Sequence, residues 1–186
     1  NLTEEEEKLI KERLSLADLK PGQPLNDLKS LPAGVYLILR GSIRLIGYDE
    51  KKEPFSLGIF AKGDLVGIKP LLRGNTEQIL TASTQTNCLL LPGDLFLDLL
   101  EKNKINHKYI NKVDSYELFE VALKAKSFSN LSKVDIFNWA KKVCAKEKLE
   151  VLNIDNNHPK NESNITKQWF VSSSNFKDKL PGSIIS

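Results

Sequence analysis

Short apolar runs bounded by glycine, proline and aspartate fill the first half of the chain. Runs of about four to eight such residues are typical of β-strands, and the two strongest runs are joined across Gly41, where a glycine lets the backbone bend. A hairpin turn is predicted at 49–52. We therefore predict an antiparallel, mainly β unit with strands at residues 23–28, 35–40, 42–46, 55–60, 79–82 and 88–91.

Helical periodicity lies on both sides of this β unit. Thr3 and Glu6 have the spacing of a capping box, and the apolar residues after them predict a helix over 3–17. Pro92-Gly-Asp94 opens a second helix that closes the unit. A third helical pattern covers residues 107–126. Its apolar face either packs on another subunit or domain or covers the core of this domain, and the pattern favours neither.

Composition and charge narrow the class of protein. The chain has 186 residues, 40% of them hydrophobic, and a net charge of +3. Basic residues are scattered among nearly as many acidic ones, so no nucleic-acid partner is expected. No apolar run approaches the ~20 residues that span a bilayer, and no signal peptide is visible, so we expect a cytoplasmic protein. Cys88 and Cys144 form no CxxC pair, which fits a reducing compartment.

The sequence contains no Met, although a natural open reading frame starts with one. We therefore expect this chain to be a piece of a longer protein.

The glycines occur in an order that resembles a known family. Gly-Val-Tyr-Leu-Ile-Leu-Arg-Gly-Ser-Ile-Arg over 34–44, Gly63-Asp64-x-x-Gly67 and then Leu71-Leu72 resemble the cyclic nucleotide-binding domain over roughly residues 2–102. This resemblance implies a β-jelly roll flanked by helices. The fold class we expect is therefore mainly β with helices, with the jelly roll at 1–102 and a helical connector at 103–126.

A partial, degenerate second copy of this pattern is predicted at 127–186. Phe-x-x-Leu-Ser at 128–132 precedes a helical run at 134–143 and an apolar run at 149–154, as at the start of many members of the resembling family. Residues 169–174 align with residues 36–41, and 155–168 form a polar loop. The alternative is a plain helical hairpin with a polar tail.

Members of that family that bind cyclic AMP or cyclic GMP hold the sugar-phosphate with a cassette of the form Gly-Glu-x-Ala-Leu-Leu, followed by Arg-Ser/Ala-Ala-Thr. Their Glu accepts from the ribose hydroxyl, and their Arg gives charge-assisted hydrogen bonds to the phosphate. Here the Glu position is Ile68 and the Arg position is Glu77. Both main ligand contacts are therefore absent, and we expect no cofactor. The degenerate cassette consists of Gly67, Ile68, Lys69, Arg73 and Glu77.

No catalytic or metal-binding constellation is predicted. His107 and His158 lie in polar runs without cysteine or carboxylate at metal-ligand spacing. The serines at 172–174 lack the Gly-x-Ser-x-Gly context of a nucleophile elbow, and no Walker A loop is present. Trp139 and Trp169 are expected to anchor a core.

These observations predict a non-catalytic regulatory or docking module. Its arrangement, with Trp-Phe-Val-Ser-Ser-Ser at 169–174 and Pro-Gly-Ser-Ile at 181–184, resembles the N-terminal region of cyanobacterial-type ABC exporters of peptides or toxins. That resemblance implies peptidase and ATPase domains beyond Ser186, partners in the same polypeptide, and membrane attachment only through those domains. The alternative is the sensor domain of a catabolite-activator-type transcription regulator, with 107–126 as the dimer helix of a homodimer.

Overall fold

The computed structural model describes residues 2–48, 52–74, 78–103, 113–146, 169–170 and 184–185. The chain forms two compact units, residues 1–110 and 111–186. The helices of the first unit are α1 (Glu4–Arg13), α2 (Ile68–Arg73) and α3 (Gly93–Lys102). Its strands are β1 (Ser15–Leu19), β2 (Gly34–Arg40), β3 (Ser42–Tyr48), β4 (Pro54–Ala61), β5 (Leu65–Val66), β6 (Ile79–Ala82) and β7 (Thr86–Pro92).

Two antiparallel sheets build the first unit. One sheet has the strand order β1-β7-β2-β5, and the other has the order β4-β3-β6. Gly41 links β2 of the first sheet to β3 of the second, and its φ of 86° is one that L side chains rarely adopt. This arrangement confirms the predicted jelly roll with flanking helices. The turn predicted at 49–52 lies mostly outside the described residues, although β3 and β4 pair as expected.

The core of the first unit lies on one face of each sheet. On the first sheet Ile38 and Cys88 are opposite each other and are buried. On the second sheet Ile43 and Ala82 are likewise opposite each other and buried. Strand β7 is buried only in part, and its burial alternates over Thr86–Leu89. Cys88 is buried while Leu89 is only half-buried, because the side chains of a strand point to opposite faces of its sheet.

The predicted helix over 3–17 is too long. The capping box is confirmed, since Thr3 Oγ1 accepts from the Glu6 amide at 3.2 Å and Glu6 Oε2 accepts from the Thr3 amide at 2.8 Å. Helix α1 nevertheless ends at Arg13, and residues 15–19 form β1. Pairing with β7 and burial of Leu19 favour the extended chain there, since tertiary contacts override weak helical propensity.

Residues 23–28 do not form the predicted strand. Pro24 makes a single bridge to Thr81, and Asp27 makes another to Ser30. The Asp27 carboxylate accepts from the Lys29 amide at 2.6 Å, so a local turn replaces continued pairing. Short acidic side chains favour such turns because they bond to the backbone two residues on.

The second unit contains α4 (Ser115–Leu123), a 3₁₀ turn (Lys126–Phe128) and α5 (Lys133–Lys146). The helix predicted over 107–126 is thus shorter in its described part, and 107–112 lie outside the described residues. Asp114 caps α4 by accepting from the amides of Tyr116 and Glu117 at 2.9 Å. The apolar face of α4 packs on α5, where the ring of Phe137 lies 5.2 Å from Phe119 and 5.4 Å from Tyr116.

Only part of the predicted second copy can be compared with the structure. Helix α5 confirms the helical run at 134–143, and the ring of Trp139 packs on Phe128 with centroids 4.6 Å apart. Strands β8 (Trp169–Phe170) and β9 (Ile184–Ile185) pair antiparallel. The apolar run at 149–154, the polar loop at 155–168 and the serines at 172–174 lie outside the described residues. The second copy therefore stays a prediction.

Candidate functional site

The candidate site is the segment from Leu65 to Gln78. It contains the five residues of the degenerate cassette, and from here on we call the whole segment the cassette. It begins in β5, an edge strand of the first sheet, continues through α2, and ends at the start of β6 in the second sheet. The cassette therefore connects the two sheets of the jelly roll. Residues 75–77 within it lie outside the described residues.

Gly67 sets the start of the cassette. Its φ is 92°, and a Cβ atom at this position would lie 2.4 Å from the carbonyl oxygen of Gly34. Only glycine permits both this backbone conformation and this close approach. The cassette therefore enters α2 directly against the backbone that begins β2.

A tight turn before β5 fixes the direction of entry. The Asp64 carboxylate accepts from the Ala61 amide at 2.7 Å, and the Asp64 carbonyl accepts from the Ile38 amide at 3.0 Å. Gly63, with φ of 93°, donates to the Ile38 carbonyl at 2.8 Å. The Gly-Asp pair of the sequence signature is thus a structural device that ties this turn to β2.

Helix α2 is anchored by one buried leucine. Leu71 is 9% exposed, and its side chain fills the space beside Gly93, where a Cβ would approach Leu71 Cδ2 to 3.0 Å. The Gly93 amide in turn donates to the Ala33 carbonyl at 2.9 Å. The cassette helix is therefore held against the first turn of α3.

Asn26 holds the far end of the cassette, and sequence reasoning missed it. Its amide nitrogen donates to the Gln78 carbonyl at 2.8 Å, and its amide oxygen accepts from the Leu80 amide at 2.9 Å. Asn26 is only 5% exposed. This side chain replaces a strand partner at the point where β6 begins. In the sequence, the available sign of this role was the position of Asn26 directly after Pro24 and Leu25.

Three of the predicted cassette positions, Ile68, Lys69 and Arg73, lie on α2. Ile68 is the first residue of the helix, its first turn contains no acidic residue, and Arg73 is in its last turn. Ile68, Lys69 and Arg73 are all half-buried. Lys69 and Arg73 already take part in interactions within the chain. Glu77 lies outside the described residues.

Burial raises the pKa values of two side chains of the first sheet, Tyr36 and Cys88. Desolvation raises the pKa of Tyr36, with a smaller contribution from Cys88, and burial alone raises the pKa of the Cys88 thiol. A neutral thiol is a poor nucleophile. Across the described residues, no three His, Cys, Asp or Glu side chains come close enough to hold a metal ion. His107 and His158 are not among those residues.

A family model for the cyclic nucleotide-binding domain matches residues 17–103 of the sequence. None of the curated proteins compared with the chain matches it significantly. The matched segment covers β1 to α3, and it includes the whole cassette. Residues 17–103 are therefore similar in sequence to the cyclic nucleotide-binding domain, and they have its jelly-roll fold.

Solved structures of other proteins are similar to part of the chain. A proposed transcriptional regulator of the crp/fnr family from Eubacterium rectale has a TM-score of 0.50 and 18% identity, over 56% of this chain and 52% of that one. The catabolite activator protein of Thermus thermophilus has a TM-score of 0.46 and 22% identity, over 57% and 50%. The regulatory subunit of a cAMP-independent protein kinase A from Trypanosoma brucei has a TM-score of 0.44 and 23% identity, over 58% and 43%.

The chain thus aligns with about half of the length of these proteins or less. The likeness to the Eubacterium rectale protein concerns the fold alone. No helix in the described ranges has the length and apolar character needed to cross a membrane.

Proposed function

We propose that this domain is a non-catalytic regulatory or docking module that does not bind cyclic AMP or cyclic GMP. The observation that carries the proposal is the contrast within the cassette. Gly67, Leu71 and the Gly63-Asp64 turn keep the scaffold in place, whereas Ile68 begins α2 where the resembling family has its ribose-binding Glu.

The loss of ligand contacts is large enough to matter. Each hydrogen bond to a charged group contributes about 1.5–3 kcal/mol, and two positions are changed, so affinity should fall on the order of 10³-fold or more. The sequence also puts the acidic Glu77 where a phosphate would need a cation. Repulsion adds to that loss.

Calorimetry with each nucleotide at millimolar concentration tests this proposal. We expect no heat of specific binding, and a micromolar dissociation constant for either nucleotide would refute the proposal. The reconstruction Ile68→Glu with Glu77→Arg restores both charges, and Ile68→Gln with Glu77→Gln is the matched neutral control. Binding by the charged pair alone would show that the scaffold keeps the pocket and that only the contacts are lost.

The larger context is a separate part of the proposal. We propose that the chain is the N-terminal cytoplasmic part of an ABC exporter, and that the further domains of that exporter are its partners. The sequence resemblance alone supports this proposal. A sensor domain of a catabolite-activator-type regulator is the alternative, and the fold likeness to the Eubacterium rectale protein supports it at the level of the fold. The full-length open reading frame separates the two, because the exporter reading requires a transporter-sized gene.

A further inference from the structure

A row of leucines crosses the whole first sheet. Leu16 of β1 is opposite Leu89 of β7, Leu89 is opposite Leu37 of β2, and Leu37 is opposite Leu65 of β5. Directly opposed residues share a face, and neighbouring strands are about 4.8 Å apart, so the row is roughly 14 Å long. We call these four residues the leucine row.

The leucine row faces away from the core. The next residues along the strands, Cys88 and Ile38, are buried on the opposite face. Leu16 is 73% exposed and Leu65 is 53% exposed, and the two central leucines are half-buried. Single exposed leucines are ordinary, but four that are contiguous on a sheet face form a surface whose burial would be favourable.

A polar row runs beside the leucine row on the same face. Asp18 is opposite Asn87, and Arg40 is also opposite Asn87 because the register shifts at a bulge between Ile38 and Arg40. Asn87 donates a hydrogen bond to the Asp18 carboxylate. The polar row therefore has a negative end on β1, a neutral centre on β7 and a positive end on β2.

This face is complementary to itself. A two-fold axis parallel to β7 and above it places Leu89 and Asn87 opposite their own copies. The same axis exchanges β1 and β2, so Leu16 lies opposite Leu37 of the second copy. Asp18 then lies opposite Arg40 of the second copy, and the reverse pair forms by symmetry. Isologous interfaces require such self-complementarity.

We propose that the outer face of the first sheet, defined by the leucine row and the polar row, pairs two copies of this chain. The leucines supply the apolar centre and the two Asp18–Arg40 pairs fix the orientation. Because the leucine row is only roughly 14 Å long, we expect two copies to associate weakly and reversibly. The proposal does not depend on the proposed function, since Leu65 is its single cassette residue and Leu65 is not one of the positions expected to contact a nucleotide.

Sedimentation of the full chain from roughly 1 µM to 1 mM spans the affinities of weak complexes and tests the apolar part. We expect reversible dimerisation of the unsubstituted chain and at least a tenfold weaker association in Leu16→Lys. Ile59→Lys is the matched control, because Ile59 is 60% exposed but lies on β4 of the other sheet. A monomeric unsubstituted chain throughout this range, or equal effects of the two substitutions, would overturn the proposal.

Charge exchange tests the two-fold arrangement. Asp18→Arg and Arg40→Asp should each abolish self-association, since each places like charges opposite one another twice. A mixture of the two variants should associate again, and so should the double variant, because opposite charges then face each other at both pairs. Circular dichroism melting confirms that each variant is folded. Loss of association in the single variants without recovery in the mixture would refute this pairing of the faces.

Discussion

Gly67→Ala is the most direct test of how the cassette is built. Gly67 and Gly63 have nearly the same backbone conformation, with φ of 92° and 93°. They differ in their surroundings, because a Cβ at Gly67 meets the Gly34 carbonyl oxygen at 2.4 Å whereas a Cβ at Gly63 meets nothing within 4 Å. Gly63→Ala is therefore a matched control that carries the conformational cost alone.

The two costs can be separated in magnitude. Placing a residue with a side chain in the left-handed region costs about 1–2 kcal/mol, and this applies to both substitutions. A contact of 2.4 Å with a backbone atom cannot be relieved by a rotamer change, so overpacking adds about 1–3 kcal/mol at Gly67 only. Since about 1 kcal/mol shifts the Tm of a domain of 60–100 residues by roughly 4–8 °C, Gly67→Ala should melt at least roughly 4 °C below Gly63→Ala.

Thermal unfolding followed by circular dichroism gives this difference, with chemical denaturation as a second measure. Gly63→Ala should itself lower the Tm by roughly 4–16 °C relative to the unsubstituted chain, because it carries the conformational cost of about 1–2 kcal/mol. Equal melting temperatures for the two variants would show that the cassette can move away from β2 without cost. The account of the cassette as a scaffold fixed by close backbone contact would then be wrong.

Other predictions concern residues outside the cassette helix. Asn26→Ala leaves the buried Leu80 amide without its hydrogen-bond acceptor. The free energy of unfolding measured by urea titration should therefore fall by about 2–4 kcal/mol. A loss below about 0.5 kcal/mol would contradict the tethering role of Asn26. A hydrogen bond from Arg13 lowers the pKa of Asp94 in the folded state. The ionised Asp94 therefore stabilises the fold fully above the pKa that it has in the unfolded chain, and this stabilisation is lost as the pH falls through its lower pKa in the folded chain. Arg13→Gln should therefore flatten the acid limb of a Tm-against-pH curve slightly, and an unchanged limb would argue against the pair. Phe137→Ala removes a half-buried ring that packs on Phe119 and Tyr116. It should cost the second unit about 1–3 kcal/mol, less than the loss of a fully buried ring. Hydrogen exchange would show this loss as faster exchange of α4 amides, confined to residues 113–146.

The jelly roll was predictable because its signals are local. Gly41 and Gly63 occupy backbone conformations with positive φ, and sequence shows such positions directly because few other residues tolerate them. The capping box at Thr3 is likewise fixed by residues three apart. The two deviating cassette positions could also be found from the sequence, since they stand within a short ordered pattern.

The boundary between α1 and β1 was decided by tertiary structure. Leu14 and Ala17 continue the helical spacing of α1, and no local signal stops the helix at Arg13. What stops it is the ladder with β7, a strand more than sixty positions further along the chain. Hydrogen bonds to a distant strand cannot be read from periodicity, because periodicity reports only on which neighbours share a face.

The tether of Asn26 and the leucine row also depended on tertiary structure. Asn26 bonds to Gln78 and Leu80, and Leu16 is aligned with Leu89 by register. The sequence determined which segments are strands and where the backbone must turn, because those choices rest on residue shape and local hydrogen bonding. The fold alone determined which strands are neighbours and in which register, and so which side chains lie side by side, because that outcome depends on packing between segments far apart in the chain.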